Sequence, residues 1–106
     1  MTSKETIAEM ASRIGREFRP RRVILFGSYA RGDATEESDV DLLVVVDEPR
    51  QRGKRSAPIL RVLAEEYAVP VDVIVRTTDS LERESGVPGT LGDEVSKEGV
   101  VLYEAT

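Results

Sequence analysis

The sequence predicts a small α/β (α+β) domain in which a mixed β-sheet is flanked by helices, and three observations lead there. Short runs of β-branched and aliphatic residues at 23–26, 40–46, 71–75 and 100–103 have the length and composition of strands. Between them lie segments whose apolar residues recur every three or four positions, as amphipathic helices require. The resulting order is helix, strand, strand, helix, strand, helix, strand, for which helices packed against a mixed sheet are the natural architecture. A chain of 106 residues can build one hydrophobic core but not two, so residues 1–106 read as one domain.

The elements follow in order. Thr2 and Glu5 have capping-box spacing, and Ile7, Met10, Ala11, Ile14 and Phe18 continue at helical intervals until Pro20, which predicts an opening helix. Val23 to Phe26 is a buried first strand that stops at Gly27-Ser28, and 28–32 has room for one helical turn. Asp33 to Ser38 is polar and turn-forming. Val40 to Val46 is a second strand, aliphatic except for Asp41. Glu48 to Lys54 contains Pro49 and Gly53 and reads as an exposed loop, and Arg50, Arg52, Lys54 and Arg55 make this the basic stretch of the chain. Ser56 can cap a helix with Pro58 in its first turn and Ile59, Leu60, Leu63 and Tyr67 on its apolar stripe. Val71 to Val75 is the third strand. A short helix starts at Thr78 or Asp79, Gly86-Val87-Pro88-Gly89 interrupts it, a weak helix resumes over 91–97, and Gly99 ends it before a last strand at 100–103.

Composition narrows the chemistry. With no cysteine and no histidine, disulfides, thiolate metal sites and the usual general base are excluded, so acid–base or metal chemistry has to run on carboxylates. Aspartate and glutamate outnumber lysine and arginine 20 to 15, and the net charge of −5 argues against direct, sequence-independent binding to nucleic acid. No apolar run approaches the roughly 20 residues that span a bilayer, and the first residues lack a secretory pattern, so no membrane role and a cytoplasmic location are expected.

Three carboxylates stand where a sheet would not ordinarily put them. Alternation along a strand places Asp39 and Asp41 on one side, with Val40 and Leu42 on the other. Two adjacent carboxylates repel unless they share a cation, and all-oxygen ligation favours magnesium or manganese. Asp72 repeats the anomaly in the third strand and reaches the same cluster if the two strands are neighbours. Three carboxylates around two metal ions are an arrangement that supports in-line phosphoryl or nucleotidyl transfer. Gly27 lets the chain turn straight out of a strand, and Ser28 offers a hydroxyl and free N–H groups suited to a phosphate.

These residues resemble a known family. Gly27-Ser28-Tyr29-Ala30-Arg31-Gly32, Ser38-Asp39-Val40-Asp41-Leu42 and Val71-Asp72-Val73 are similar to the pattern of the DNA polymerase β-like nucleotidyltransferases. The match is nearest to the minimal nucleotidyltransferases (MNT), including the antitoxin members of HEPN/MNT toxin–antitoxin pairs, and extends over nearly the whole chain. The resemblance implies the polymerase β-like nucleotidyltransferase fold and ATP as substrate. By the same resemblance, Gly27 and Ser28 hold the triphosphate, Asp39 and Asp41 ligate two Mg²⁺ ions, and Asp72 completes the catalytic metal site and helps to deprotonate the acceptor hydroxyl. It further implies that AMP is moved to a tyrosine of a HEPN toxin, which is thereby silenced.

Other readings stand beside these. Asp39 alone suits a turn, and Asp41 and Asp72 suit a solvated edge or an ion pair with arginine. Arg31 either steadies a phosphate, as a nucleotide-binding residue, or pairs with Asp33 or Glu36. The basic stretch at 50–55 is either a solvated loop or a contact for an acidic partner, and Tyr29 and Tyr103 read as packing residues. Two rival functions remain: a free-standing transferase acting on a small-molecule hydroxyl, and a non-catalytic antitoxin that neutralises its partner by contact. Nucleotide preference and homo-oligomer formation are left open.

Overall fold

The computed structural model describes residues 1–47 and 52–106, without the side chains of 52–55. The expected loop at 48–51, including the Arg50 end of the basic stretch, lies outside the described residues. The elements run α1 (Lys4–Phe18), β1 (Arg22–Phe26), α2 (Ser28–Arg31), β2 (Val40–Val46), α3 (Arg52–Glu66), β3 (Val71–Thr77), α4 (Thr78–Glu84), α5 (Leu91–Glu98) and β4 (Val100–Glu104).

The four strands form one mixed sheet in the order β3-β2-β1-β4. β1 is antiparallel to both β2 and β4, whereas β2 and β3 are parallel. Parallel neighbours need a crossover, and α3 supplies it. Alternation along the strands divides the core into two layers. Val23, Leu25, Val40, Leu42, Val44, Val73 and Val75 face α1 and α3, where Ile7, Met10, Ile14, Ile59 and Leu63 close over them. Ile24, Phe26, Leu43 and Val45 face the other way, against Leu81 of α4 and Leu91 and Val95 of α5. Burying both faces explains why β2 reads as an almost unbroken aliphatic run.

Local details differ from the sequence reading where tertiary contacts intervene. Ser3, not Thr2, caps α1, its hydroxyl accepting from Thr6 N at 3.1 Å. The backbone N–H of Thr2 donates instead to the Tyr29 hydroxyl at 3.0 Å. α3 begins at Arg52 rather than Ser56, so Pro58 lies inside the helix and not in its first turn. Arg and Lys are good helix formers, and they extend the helix despite the cost of Gly53. Ile59 and Leu63 are buried as expected, while Leu60 is 37% exposed and leaves the apolar stripe. α1 and α3 are tied at their solvent side by Arg13, which pairs with both Glu17 and Glu66. Tyr29 and Tyr103 pack against the α1/α3 core, as expected. No helix among the described residues is long and apolar enough to cross a membrane.

Candidate active site

The three motifs converge at one end of the sheet because of strand register. β1 ends at Phe26, which pairs with Asp41 at the start of β2, and Asp41 pairs in turn with Asp72 at the start of β3. Phe26, Asp41 and Asp72 therefore form a row across three strands, with Gly27 and Ser28 immediately beyond it. Asp41 shares its strand face with Leu43 and Val45, and Asp72 shares its face with Ile74, so both project on the α4/α5 side. The sequence reading required β2 and β3 to be neighbours, and they are.

Asp39 is placed differently from the simplest expectation. β2 starts at Val40, so Asp39 is an exposed residue just outside the strand and strict alternation does not govern it. It follows a turn in which Thr35 N donates to Ser38 Oγ at 2.8 Å and Ser38 N to the Thr35 carbonyl at 3.0 Å. Its charge still acts on Asp41.

The electrostatics of the site bear on Asp41. Partial burial holds its carboxyl above the usual aspartate range, and the nearby charges of Asp72, Asp39 and Glu94 push it further in the same direction, against the opposing pull of Arg31. Hard oxygen donors and an excess of negative charge are the chemistry that a Mg²⁺ ion complements. Among the described residues no three acidic side chains close up into a ready metal cage. Mg²⁺ is commonly held by one or two carboxylates together with substrate phosphates, so the residues present fit an ion that arrives with a nucleotide.

Gly27 makes the close approach possible. Its backbone (φ 76°, ψ −155°) lies in a region that is essentially reserved for glycine, and a Cβ there would overlap Asp41 Oδ2. α2 is a single turn whose Ala30 and Arg31 N–H groups return to the Gly27 carbonyl at 3.1 Å. The N–H groups of Ser28 and Tyr29, at the start of that turn, have no intrahelical carbonyl to return to. Two backbone donors thus lie beside the carboxylate row. A groove of about 470 Å³ opens next to Ser38 and Pro70, between Thr2, Ser3, Thr6 and Tyr29.

Arg31 ends α2 and pairs with Asp33 Oδ2 at 3.4 Å, Glu94 Oε2 at 3.7 Å and Glu98 Oε2 at 3.9 Å. The Asp33 pair was one of the alternatives read from sequence. The two α5 glutamates were missed, because nothing in a weakly helical segment 60 residues downstream signals that it will return to Arg31. Their neighbour Asp93 is 7% exposed and serves the fold, accepting from Gly86 N and from Lys97 Nζ, both at 3.1 Å.

Comparison with known proteins identifies the family. The family model described as a nucleotidyltransferase domain matches residues 6–97. A Methanocaldococcus jannaschii chain provisionally assigned as a protein adenylyltransferase is 33% identical over 105 residues, which is 97% of this chain and 100% of that one. A second chain of that organism with the same provisional assignment is 49% identical over 55 residues, covering 51% of this chain and 52% of its own length. Among solved structures, a provisionally assigned nucleotidyltransferase from Sulfolobus solfataricus superposes with a TM-score of 0.59 at 22% identity, over 94% of this chain and 78% of that one. A toxin–antitoxin structure with AMP-PNP gives 0.57 at 20% identity, over 93% and 74%. These two structures show the same fold. With a family model spanning most of its length and a full-length relative of this similarity, the chain belongs to the nucleotidyltransferase domain family and is a nucleotidyltransferase.

Proposed function

We propose that the chain transfers AMP from ATP to a protein hydroxyl, with Mg²⁺ as cofactor and a tyrosine of a HEPN toxin as acceptor, and thereby acts as an antitoxin in the cytoplasm. The observation that carries the chemistry is the register pairing of Asp41 with Asp72 beside Gly27-Ser28. The acceptor class is supported by the provisional protein adenylyltransferase name of a relative matched over its whole length. The toxin is supported by the resemblance to MNT antitoxins and by a structural neighbour that is a toxin–antitoxin with AMP-PNP.

In this reading Gly27 and Ser28 hold the triphosphate, and Arg31 steadies it. Asp39, Asp41 and Asp72 would hold the metal. Bound there, Mg²⁺ would neutralise the charge that develops on the phosphates. Asp72, the more exposed of the Asp41–Asp72 pair, takes the proton of the acceptor hydroxyl. The hydroxyl oxygen bonds to the α-phosphorus, the bond from that phosphorus to the bridging oxygen breaks, and pyrophosphate leaves.

The test is incubation with ATP labelled at the α-phosphate, Mg²⁺ and a candidate HEPN partner. The expected result is label and an AMP mass shift on a partner tyrosine. Unchanged transfer by the Asp39→Asn, Asp41→Asn double variant would show the site assignment to be wrong. A tight complex with no transfer would favour a non-catalytic antitoxin, and label appearing only on a small-molecule hydroxyl would favour the free-standing transferase.

A further inference from the structure

Arg31 stands between two groups of anions. On one side is the end of the sheet, where its charge acts on Asp41. On the other are Asp33, close to it in the chain and at 3.4 Å, and Glu94 and Glu98, one helical turn apart on α5, whose like charges repel unless a cation sits between them. The neighbouring cation Lys97 is already engaged by Asp93 at 3.1 Å. The Arg31 side chain is 41% exposed and its α5 partners 37% and 42%, so these pairs contribute little to stability. Their placement beside the phosphate-binding turn calls for another explanation.

We propose that Glu94 and Glu98 of α5 are positioning residues that hold Arg31 in a resting place, and that a bound triphosphate draws it off them. This rests on the nucleotide reading of the site given above. The two glutamates and the triphosphate compete for one guanidinium, whose planar fork suits carboxylate and phosphate equally. The clamp therefore weakens nucleotide binding, and nucleotide binding loosens α5 from α2.

Direct binding of Mg²⁺ and α,β-methylene-ATP, which cannot be cleaved at the α-phosphorus, tests this by calorimetry. Glu94→Gln with Glu98→Gln is expected to tighten binding about two- to fivefold, the strength of exposed ion pairs. Arg31→Met is expected to weaken it. The deciding measurement is the cycle: in the Arg31→Met background the glutamine substitutions should lose most of their effect, keeping only the small part that comes from the Glu94 charge acting directly on Asp41. Equal tightening with or without Arg31 would mean simple charge repulsion and would overturn the clamp, as would unchanged or weaker binding by the glutamine variant. Unchanged melting temperatures in all variants keep the comparison free of folding effects. Binding by the wild type without coupling sinks the clamp alone, whereas no binding by the wild type sinks the nucleotide reading with it.

Discussion

Gly27 and Asp41 occupy each other's space: the carboxylate of Asp41 fills the position that a side chain at residue 27 would need. One is a turn residue after β1, the other is the second residue of β2, and antiparallel pairing of Phe26 with Asp41 brings them together. This contact makes the glycine a requirement of the site as well as of the turn.

Gly27→Ala should therefore fail twice. The backbone strain alone is about 1–3 kcal/mol, and the new Cβ must displace Asp41. A fall in melting temperature of at least about 5 °C is expected, together with near-complete loss of nucleotidyl transfer. Calorimetric melting and the label-transfer assay read the two effects separately. Wild-type stability in the alanine variant would contradict the geometry.

Asp41→Asn should stabilise the metal-free protein at neutral pH while abolishing transfer. The Asp41 carboxyl is held above its unfolded value, first by burial and then by Asp72, Asp39 and Glu94. A raised carboxyl means that the neutral form is favoured in the fold. Its contribution is fully present below the ordinary aspartate value and is lost as pH rises through the higher folded value. Melting curves without divalent cation should show the variant a few degrees more stable at pH 7, with the gap closing toward pH 4. Adding Mg²⁺ and ATP should raise the wild type more than the variant.

Gly15→Ala sets two effects against each other. Alanine gains about 0.5–1 kcal/mol over glycine in a helix interior. Here a Cβ would overlap the Tyr103 ring, which β4 lays across α1, and overpacking costs about 1–3 kcal/mol. Net destabilisation is expected. Combining it with Tyr103→Ala should restore part of the alanine's helical advantage.

Tyr67 should ionise later than an ordinary phenol. Burial and then its hydrogen bond to Glu9 Oε1 at 2.9 Å push its phenol up to about 12. The sign follows from the favoured neutral form: its contribution holds below the ordinary phenol value near 10 and disappears as pH rises through about 12. Alkaline titration by phenolate absorbance should show a late component that Tyr67→Phe removes and Glu9→Gln brings earlier.

Much of the fold and of the chemistry is legible in the residues. β2 runs from Val40 to Val46, as the length of that run and its wealth of β-branched residues predict. The break between α4 and α5 was equally plain, since Gly86 and Gly89 take positive φ there. Boundaries set by weaker signals moved: Ser3 caps α1 in place of Thr2, whose N–H is drawn to Tyr29, and α3 starts ahead of Ser56. Local propensity cannot decide between neighbouring candidates when a distant side chain takes one of them.

The sequence by itself determined the element types, the all-carboxylate chemistry and the three motifs, because side-chain period and turn chemistry are properties of neighbouring residues. Only the tertiary structure decided that β3 lies beside β2 with Asp72 opposite Asp41, that Asp39 stands outside the strand, and that α5 carries Glu94 and Glu98 to Arg31. Register and helix docking are set by how two apolar layers fill the space on either side of one sheet. That packing joins residues far apart in the chain, where no spacing rule operates.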